Sequence, residues 1–567
     1  MKPLRRYVPF IALAAAQLLV VVIAPSHAST SNVTTLGGTF NGLVGPAGVS
    51  SVLTPGAVAS TRPGTTPDPT KSADPTGHLP GVPGVGQPGT AQPGAGQPSA
   101  GTAGSRPAPG AVKMACVTGQ IEHPPCIPAF AGGDNGGATS MGVTAKTITV
   151  VMYRNAANAA VDAILRSTGT YMSPASEQAM LAVTGDWINK HYQLYGRTID
   201  WKYVVGACDP APPQDSCFRA DVDSLVAKYH PYAVFWDNDT SEPAFMDELS
   251  RKGVVNWGGW HFTDAFSNSL RPYHYDVFTG GDEQAELIGD YYCKRLANKP
   301  ARYAGSGMQT QMRKVSVIYA DTPVTTPSAK KLEAIIKACD HNGVQDSPYS
   351  SDTTTSSSQS TTSAAKDKSN GITTNIWFCD VIAPTYGTKA EAAQNFYPEQ
   401  VLAGSGLLDY DALAQTYDAT EWAHAFGPSD LGASVPIAQT NAGLIWKAQG
   451  QSGNPDVNAN LMVAYMVSVA GGIMTAGPNL TPLSFEYGLL TSPGYDSWDE
   501  WHDPQLVYVK YGKGDYTALS DVREVYYDPT KISPVNGQPG SYVALNGGKR
   551  YQAGQMPTGE PDLPPRG

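Results

Sequence analysis

Acidic, amide and hydroxyl side chains recur in this chain just after short apolar runs, where a strand would end and a loop begin. Arg154 and Asn155 follow the run 148–153, Asp237-Asn238-Asp239-Thr240 follow 232–236, and Gly258-Gly259-Trp260 follow 254–257. Later, the stretch from Asp321 to Thr325 follows 314–319, Ser350 to Asp352 come after a further segment, and Asp380 follows 375–379. Such a set could hold a small zwitterion. Its carboxylate needs hydrogen-bond donors and its ammonium an anionic acceptor, because both charges lose water on burial. Asn238, Thr240 and backbone N–H groups at a helix start are the candidate donors, and Asp321 or Asp352 the candidate acceptor. Trp236 and Trp260 would supply apolar or stacking walls, and Arg154, Asn155, Thr325 and Asp380 complete the set. Tyr171 and Tyr319 are weaker candidates. Asp and Asn at such junctions also serve as helix N-caps, so residue type alone does not make the site.

Catalytic patterns are missing. The chain has no GxSxG, no HExxH and no Gly-Lys-Ser/Thr phosphate loop, and none of its 10 His stands four residues from another. The expectation is a protein that is not an enzyme and uses no cofactor and no metal; a secreted hydrolase is the rejected rival.

The elements that must position these residues follow a clear rhythm. Short β-rich runs at 148–153, 199–205, 232–236 and 254–257 alternate with helical stripes such as Val222, Leu225, Val226 and Tyr229. The rhythm restarts after Asp282: a helix over 283–296, a strand over 314–319, a helical face of Leu332, Ile335, Ile336 and Cys339, and a strand over 375–379. Strands separated by helices of this length predict parallel sheets covered on both faces, and two such runs predict two α/β lobes. The Ser/Thr-rich stretch 351–363 reads as a polar loop, and helices are expected over 412–426 and 458–477. In open parallel sheets ligands bind beyond the carboxyl ends of the strands, so two facing lobes would make one cleft.

Seven cysteines are present: Cys116, Cys126, Cys208, Cys217, Cys293, Cys339 and Cys379. The first four fall in two close pairs inside Pro-rich loops and read as local disulfide clips; no CxxC spacing supports a metal. Cys293 and Cys339 come at the ends of two second-lobe helices, which makes them the preferred third bridge and leaves Cys379 over.

Residues 1–28 read as a signal peptide, or an uncleaved N-terminal anchor: Lys2, Arg5 and Arg6, an apolar run over 8–23, then Ser26-His27-Ala28. No Cys precedes Cys116, so a lipid-modified Cys at that site is ruled out, and no other stretch is expected to span a bilayer. Residues 29–113 are a Pro/Gly-rich linker with no apolar periodicity, expected to stay disordered. The formal net charge is −11 with no basic cluster, which gives no footprint for nucleic acid or anionic lipid. Any membrane contact would run through an uncleaved N-terminus, and export would suit disulfides.

Several stretches, taken in order, resemble one family. They are Pro124-Pro125-Cys126-Ile127-Pro128, Gly133-Asp134-Asn135-Gly136-Gly137-Ala138-Thr139 and Gly142-Val143-Thr144-Ala145-Lys146-Thr147-Ile148-Thr149-Val150, then Tyr195-Gly196-Arg197, Lys228 to Phe235, Tyr397-Pro398-Glu399, Glu421 to Gly427 and Gly547 to Tyr551. Together they resemble the type I periplasmic solute-binding proteins, in particular the branched-chain amino-acid (Leu/Ile/Val-binding) family in its actinobacterial form, over roughly 114–567. The resemblance implies two Rossmann-like lobes joined by three crossovers: lobe 1 at 114–279 and 410–495, lobe 2 at 280–409, and a C-terminal segment, 496–567, across both. It further implies a monomer that captures a small, amino-acid-like solute in the interlobe cleft by hinge closure and delivers it to an ABC permease. A surface-tethered sensor or adhesion module is the alternative.

Overall fold

A computed structural model of the chain describes residues 113–117, 121, 123–209, 214–236, 242–259, 262–404, 407–492 and 510–564. All of them lie within the unit Gly104–Gly567. The expected signal segment, 1–28, lies outside the described residues, as does all of the expected linker except Lys113.

The first sheet contains β1 (Thr147–Arg154), β2 (Thr198–Val205), β3 (Ala233–Trp236), β4 (Val255–Trp257) and β5 (His274–Tyr275), all parallel, in the order β2-β1-β3-β4-β5. Successive side chains of a strand face opposite ways, and both faces here are apolar. Ile148, Val150 and Met152 join one core cluster with Phe235 and Trp257, while Val151 and Tyr153 join another. Helices account for the double burial. After α1 (Ala159–Thr168), α2 (Pro174–His191) covers the first face, and α3 (Asp215–Tyr229) and α4 (Pro243–Arg251) cover the second.

The second sheet repeats the pattern. Its strands are β6 (Val315–Ala320), β7 (Val344–Tyr349), β8 (Thr374–Phe378), β9 (Glu399–Leu402) and β10 (Ala425–Ser429), parallel and ordered β7-β6-β8-β9-β10. Two antiparallel strands, β11 (Val522–Ile532) and β12 (Pro539–Ala544), extend the β10 edge, and Arg550–Tyr551 pairs with β11. Helices α5 (Gly281–Tyr291) and α6 (Thr326–Cys339) pack on one face, where Val317, Tyr319, Ile376 and Phe378 lie. Helices α7 (Ser356–Ser369) and α8 (Ile382–Ala393) follow β7 and β8. A buried ion pair fixes β9 beside the start of β6: Arg313 reaches both oxygens of Glu399, at 2.8 and 2.9 Å.

The chain then returns to the first lobe through α9 (Asn441–Ala448), α10 (Ala459–Ala476) and α11 (Pro482–Thr491), whose Met462, Tyr465, Ile473 and Phe485 share a core with Phe235 and Trp257. By length and composition α10 is apolar enough to cross a membrane, contrary to the expectation of no such stretch; 83% of it is buried inside the protein.

Three further expectations give way to the structure. The segment read as a polar loop, 351–363, enters a 14-residue helix, α7. The helix expected over 412–426 is two single turns and then β10. Asp418 caps the second turn through the N–H groups of Thr420 and Glu421, at 3.0 and 3.2 Å, and Gly427-Pro428 cannot continue a helix. Because β10 belongs to the second sheet, the return to lobe 1 comes after Ser429 rather than near residue 410. The disulfides are Cys116–Cys126, Cys208–Cys217 and Cys293–Cys339, and Cys379 is a buried free thiol.

Candidate functional site

The carboxyl ends of both sheets open onto one cavity of about 340 Å³. From the first lobe its wall takes Arg154 and Asn155 at the end of β1, Val161, Asp162 and Leu165 from α1, and Glu242 at the start of α4. Helix α1 is placed by its own cap: Asn158 accepts from the N–H groups of Ala160 and Val161, at 3.0 and 3.1 Å, and donates to Asp209. Its apolar stripe therefore faces the cavity, and Thr168 is its one buried residue. Leu407, Leu413, Asn458 and Leu461 close the side between the lobes.

The second lobe supplies the deeper wall. Ile318 and Ala320 of β6, Ser347 and Tyr349 of β7, and Trp377 and Cys379 at the end of β8 share one face of the sheet by strand alternation. The Trp377 indole is fixed from two sides. Its Nε1–H donates to Gln400 at 2.7 Å, and Gly387 of α8 leaves it room, since a Cβ there would lie 2.4 Å from the ring. Opposite this face, α7 presents Ser356, Gln359, Ser360 and Ser363, then Ala364 and Asp367, along one helical stripe. A helix covering a sheet ordinarily turns an apolar stripe inward. This one presents small and polar residues, and the space beneath it is part of the cavity.

Acidic groups outnumber basic ones on the wall. Arg154 is the one basic residue among the described lining residues, and its charge is met by the buried carboxylate of Glu177, which also accepts from Tyr203 at 2.5 Å. Against it stand Asp162, Glu242, Asp367, Asp380 and Glu391. Burial, with the charge of Asp215, raises Glu242 to about 8. Burial raises Asp367 to about 6, against a hydrogen bond from Gln345. Glu391 is also raised by burial; it accepts from Asn375 and Gln400 at 2.7 and 2.8 Å. Burial and Asp380 push the Cys379 thiol well above its usual range.

Of the residues expected from the sequence, Arg154, Asn155, Thr325 and Asp380 line the cavity. Asp380 is already spent as a cap: Oδ1 accepts from the N–H groups of Ile382 and Ala383, at 2.7 and 3.0 Å, and Oδ2 accepts from Tyr349. Asp321 and Asp352, the expected ammonium acceptors, are not on the wall. Asp321 accepts from the Thr326 hydroxyl at 3.2 Å, and Asp352 closes a turn onto Thr354 at 2.9 and 2.7 Å. Tyr171 stacks under Arg166, and Tyr319 points to the opposite face of its sheet, its hydroxyl donating to Asp346 at 2.9 Å. Asn238, Thr240 and Trp260 lie outside the described residues, and only the backbone of Trp236 is described, in β3. Sequence reasoning missed Glu242, Trp377, Glu391 and the α7 stripe. The stripe alone had a visible signal, the helical spacing of Ser356, Gln359, Ser360, Ser363 and Asp367.

No family model and no curated protein matches the chain. Among solved structures it is similar to an ABC transporter substrate-binding protein of Aeropyrum pernix, with 12% identity, covering 72% of this chain and 96% of that one at a TM-score of 0.49. It is also similar to the branched-chain amino acid transporter substrate-binding protein LivJ of Streptococcus pneumoniae, solved with isoleucine: 14% identity, 70% and 100% coverage, TM-score 0.46. A third is an ABC transporter solute-binding protein of Rhodopseudomonas palustris, solved with 3,4-dihydroxybenzoic acid: 10% identity, 72% and 98% coverage, TM-score 0.47. The fold assignment rests on the chain's own topology: two parallel sheets of the same strand order, with the chain passing between the lobes three times, form the type I periplasmic-binding-protein fold.

Proposed function

We propose that the chain is an extracytoplasmic solute-binding protein that takes one small organic molecule into the cavity between its lobes and closes on it. The observation that carries this reading is the cavity itself. Its volume of about 340 Å³ falls in the range of small-molecule sites, and its wall is contributed by the carboxyl ends of both sheets. Three disulfides suit an oxidising compartment. The family resemblance in the sequence adds delivery to an ABC permease as the purpose of capture.

A ligand that binds only the folded form stabilises it by about 2.7 kcal/mol at a hundredfold excess over Kd. A thermal-shift screen of the full chain against amino acids, amides, sugars, polyamines, aromatic amines and aromatic acids therefore raises Tm for its solute. Small-angle scattering with that solute shows a smaller radius of gyration as the lobes close. A screen in which nothing raises Tm overturns the reading. Uptake of the same solute falls in cells lacking the gene if delivery is the purpose.

A further inference from the structure

Resting on this reading, we infer that the solute is an organic amine: a cation with a ring-sized apolar body, rather than an amino acid or any other carboxylate. The first observation is the mismatch of charge at the wall. A buried carboxylate ligand needs a cation or a set of donors to replace its water; the wall offers hydroxyl donors such as Ser347, Ser360 and Ser363, so the balance of charge decides. Among the described lining residues the one cation, Arg154, is already held by Glu177, and five carboxyl groups share the same space.

The second observation is Glu242. It is 3% exposed and stands immediately before α4, yet its side chain does not cap that helix. Its Oε2 has no hydrogen-bond partner among the described residues, and the residue lines the cavity. The other lining acids are occupied: Asp162 by Arg166 one turn along α1, Asp380 by backbone N–H groups and Tyr349, Glu391 by Asn375 and Gln400, and Asp367 by Gln345. An acceptor left open at a buried wall is completed by a donor that the solute brings. A protonated amine supplies the N–H, and its positive charge offsets the burial that otherwise keeps this carboxyl protonated, so Glu242 gives up its proton to solvent as the amine binds.

The third observation sets the size of the body. A cavity of roughly 150 Å³ holds a benzene ring, and this one is about 340 Å³. Part of this space is lined by Ile318 and Trp377 on the second sheet and by Ser360 and Ser363 of α7. The amine end sits against Glu242, and the ring enters this space on the face of Trp377.

Isothermal titration of the full chain with three sets of ligands tests the assignment: phenethylamine, tryptamine and naphthylethylamine; the matched acids phenylacetate, indoleacetate and naphthylacetate; and tryptophan with trehalose. The amines bind, and the acids, tryptophan and trehalose bind at least tenfold more weakly or not at all. Glu242→Gln weakens amine binding at least tenfold. Ser360→Leu, which fills the space under α7, removes naphthylethylamine binding while the Tm of the empty protein stays at or above that of the parent. Acids, tryptophan or trehalose binding as tightly as the amines, or amine binding untouched by both substitutions, overturns the amine assignment and leaves solute capture standing. No binding by any ligand here, together with a blank in the wider thermal-shift screen, overturns solute capture itself.

Discussion

Helices α3 and α7 occupy the same place in two sheets of the same strand order, each following the second strand, but their inner faces differ. Phe218, Val222 and Leu225 of α3 are buried and join the core beneath the first sheet with Val151 and Tyr153. The corresponding stripe of α7 is Gln359 with Ser360, then Ser363, then Asp367; the buried residues of that helix are Ala364 and Asp367. One helix seals its sheet and the other stands off it, and the difference is part of the cavity. A two-lobed protein built from a repeated plan thus gains an internal space by leaving one repeat unfilled.

The comparison can be broken most forcefully in the filled lobe. Phe218→Ala removes a fully buried ring and should cost about 3–5 kcal/mol in urea unfolding. Arg154→Ala should cost a similar amount, because it leaves Glu177 buried without its cation. A smaller effect is expected at the platform of the open lobe. The Cβ of Gly387→Ala would press on Trp377, at a cost of about 1–3 kcal/mol, and solute affinity should fall with it. Ser363→Leu sharpens the contrast, since a leucine there should be neutral or stabilising by about 1 kcal/mol while excluding a bulky solute. A leucine that destabilises by several kcal/mol would show that the space under α7 is not available.

A further expectation concerns pH. Burial and Asp215 raise Glu242 from its ordinary value of 4.5 to about 8. A carboxyl raised by folding gives its full contribution to stability below the unfolded value and loses it as pH rises through the folded one. The stability of the parent should therefore decline between about pH 5 and pH 8 relative to Glu242→Gln, as followed by urea midpoints. Parallel curves for the two proteins would contradict the burial of this group.

The two lobes were not equally legible in the sequence. Apolar runs such as 148–153 and 375–379 identify strands because a doubly covered parallel sheet buries both of their faces. The cysteine pairs were visible from spacing and helix ends. Helix α7 was hidden because Ser and Thr favour turns and caps over helix interiors, and its stability comes from tertiary position rather than propensity. Glu242 and Glu391 carry no signal in the sequence, because the elements that bury them come together only in the fold. Asp321 and Asp352 lie off the cavity wall, their side chains engaged in local hydrogen bonds that a strand-end rule does not reveal.

The most direct test is a crystal structure of the protein grown with tryptamine or naphthylethylamine. The account predicts a single ligand between the lobes, its ring on the face of Trp377 beside the Ser360–Ser363 stripe and its ammonium at Glu242. An α7 collapsed onto the sheet with no space beneath it, or a ligand bound away from both lobes' strand ends, would contradict it.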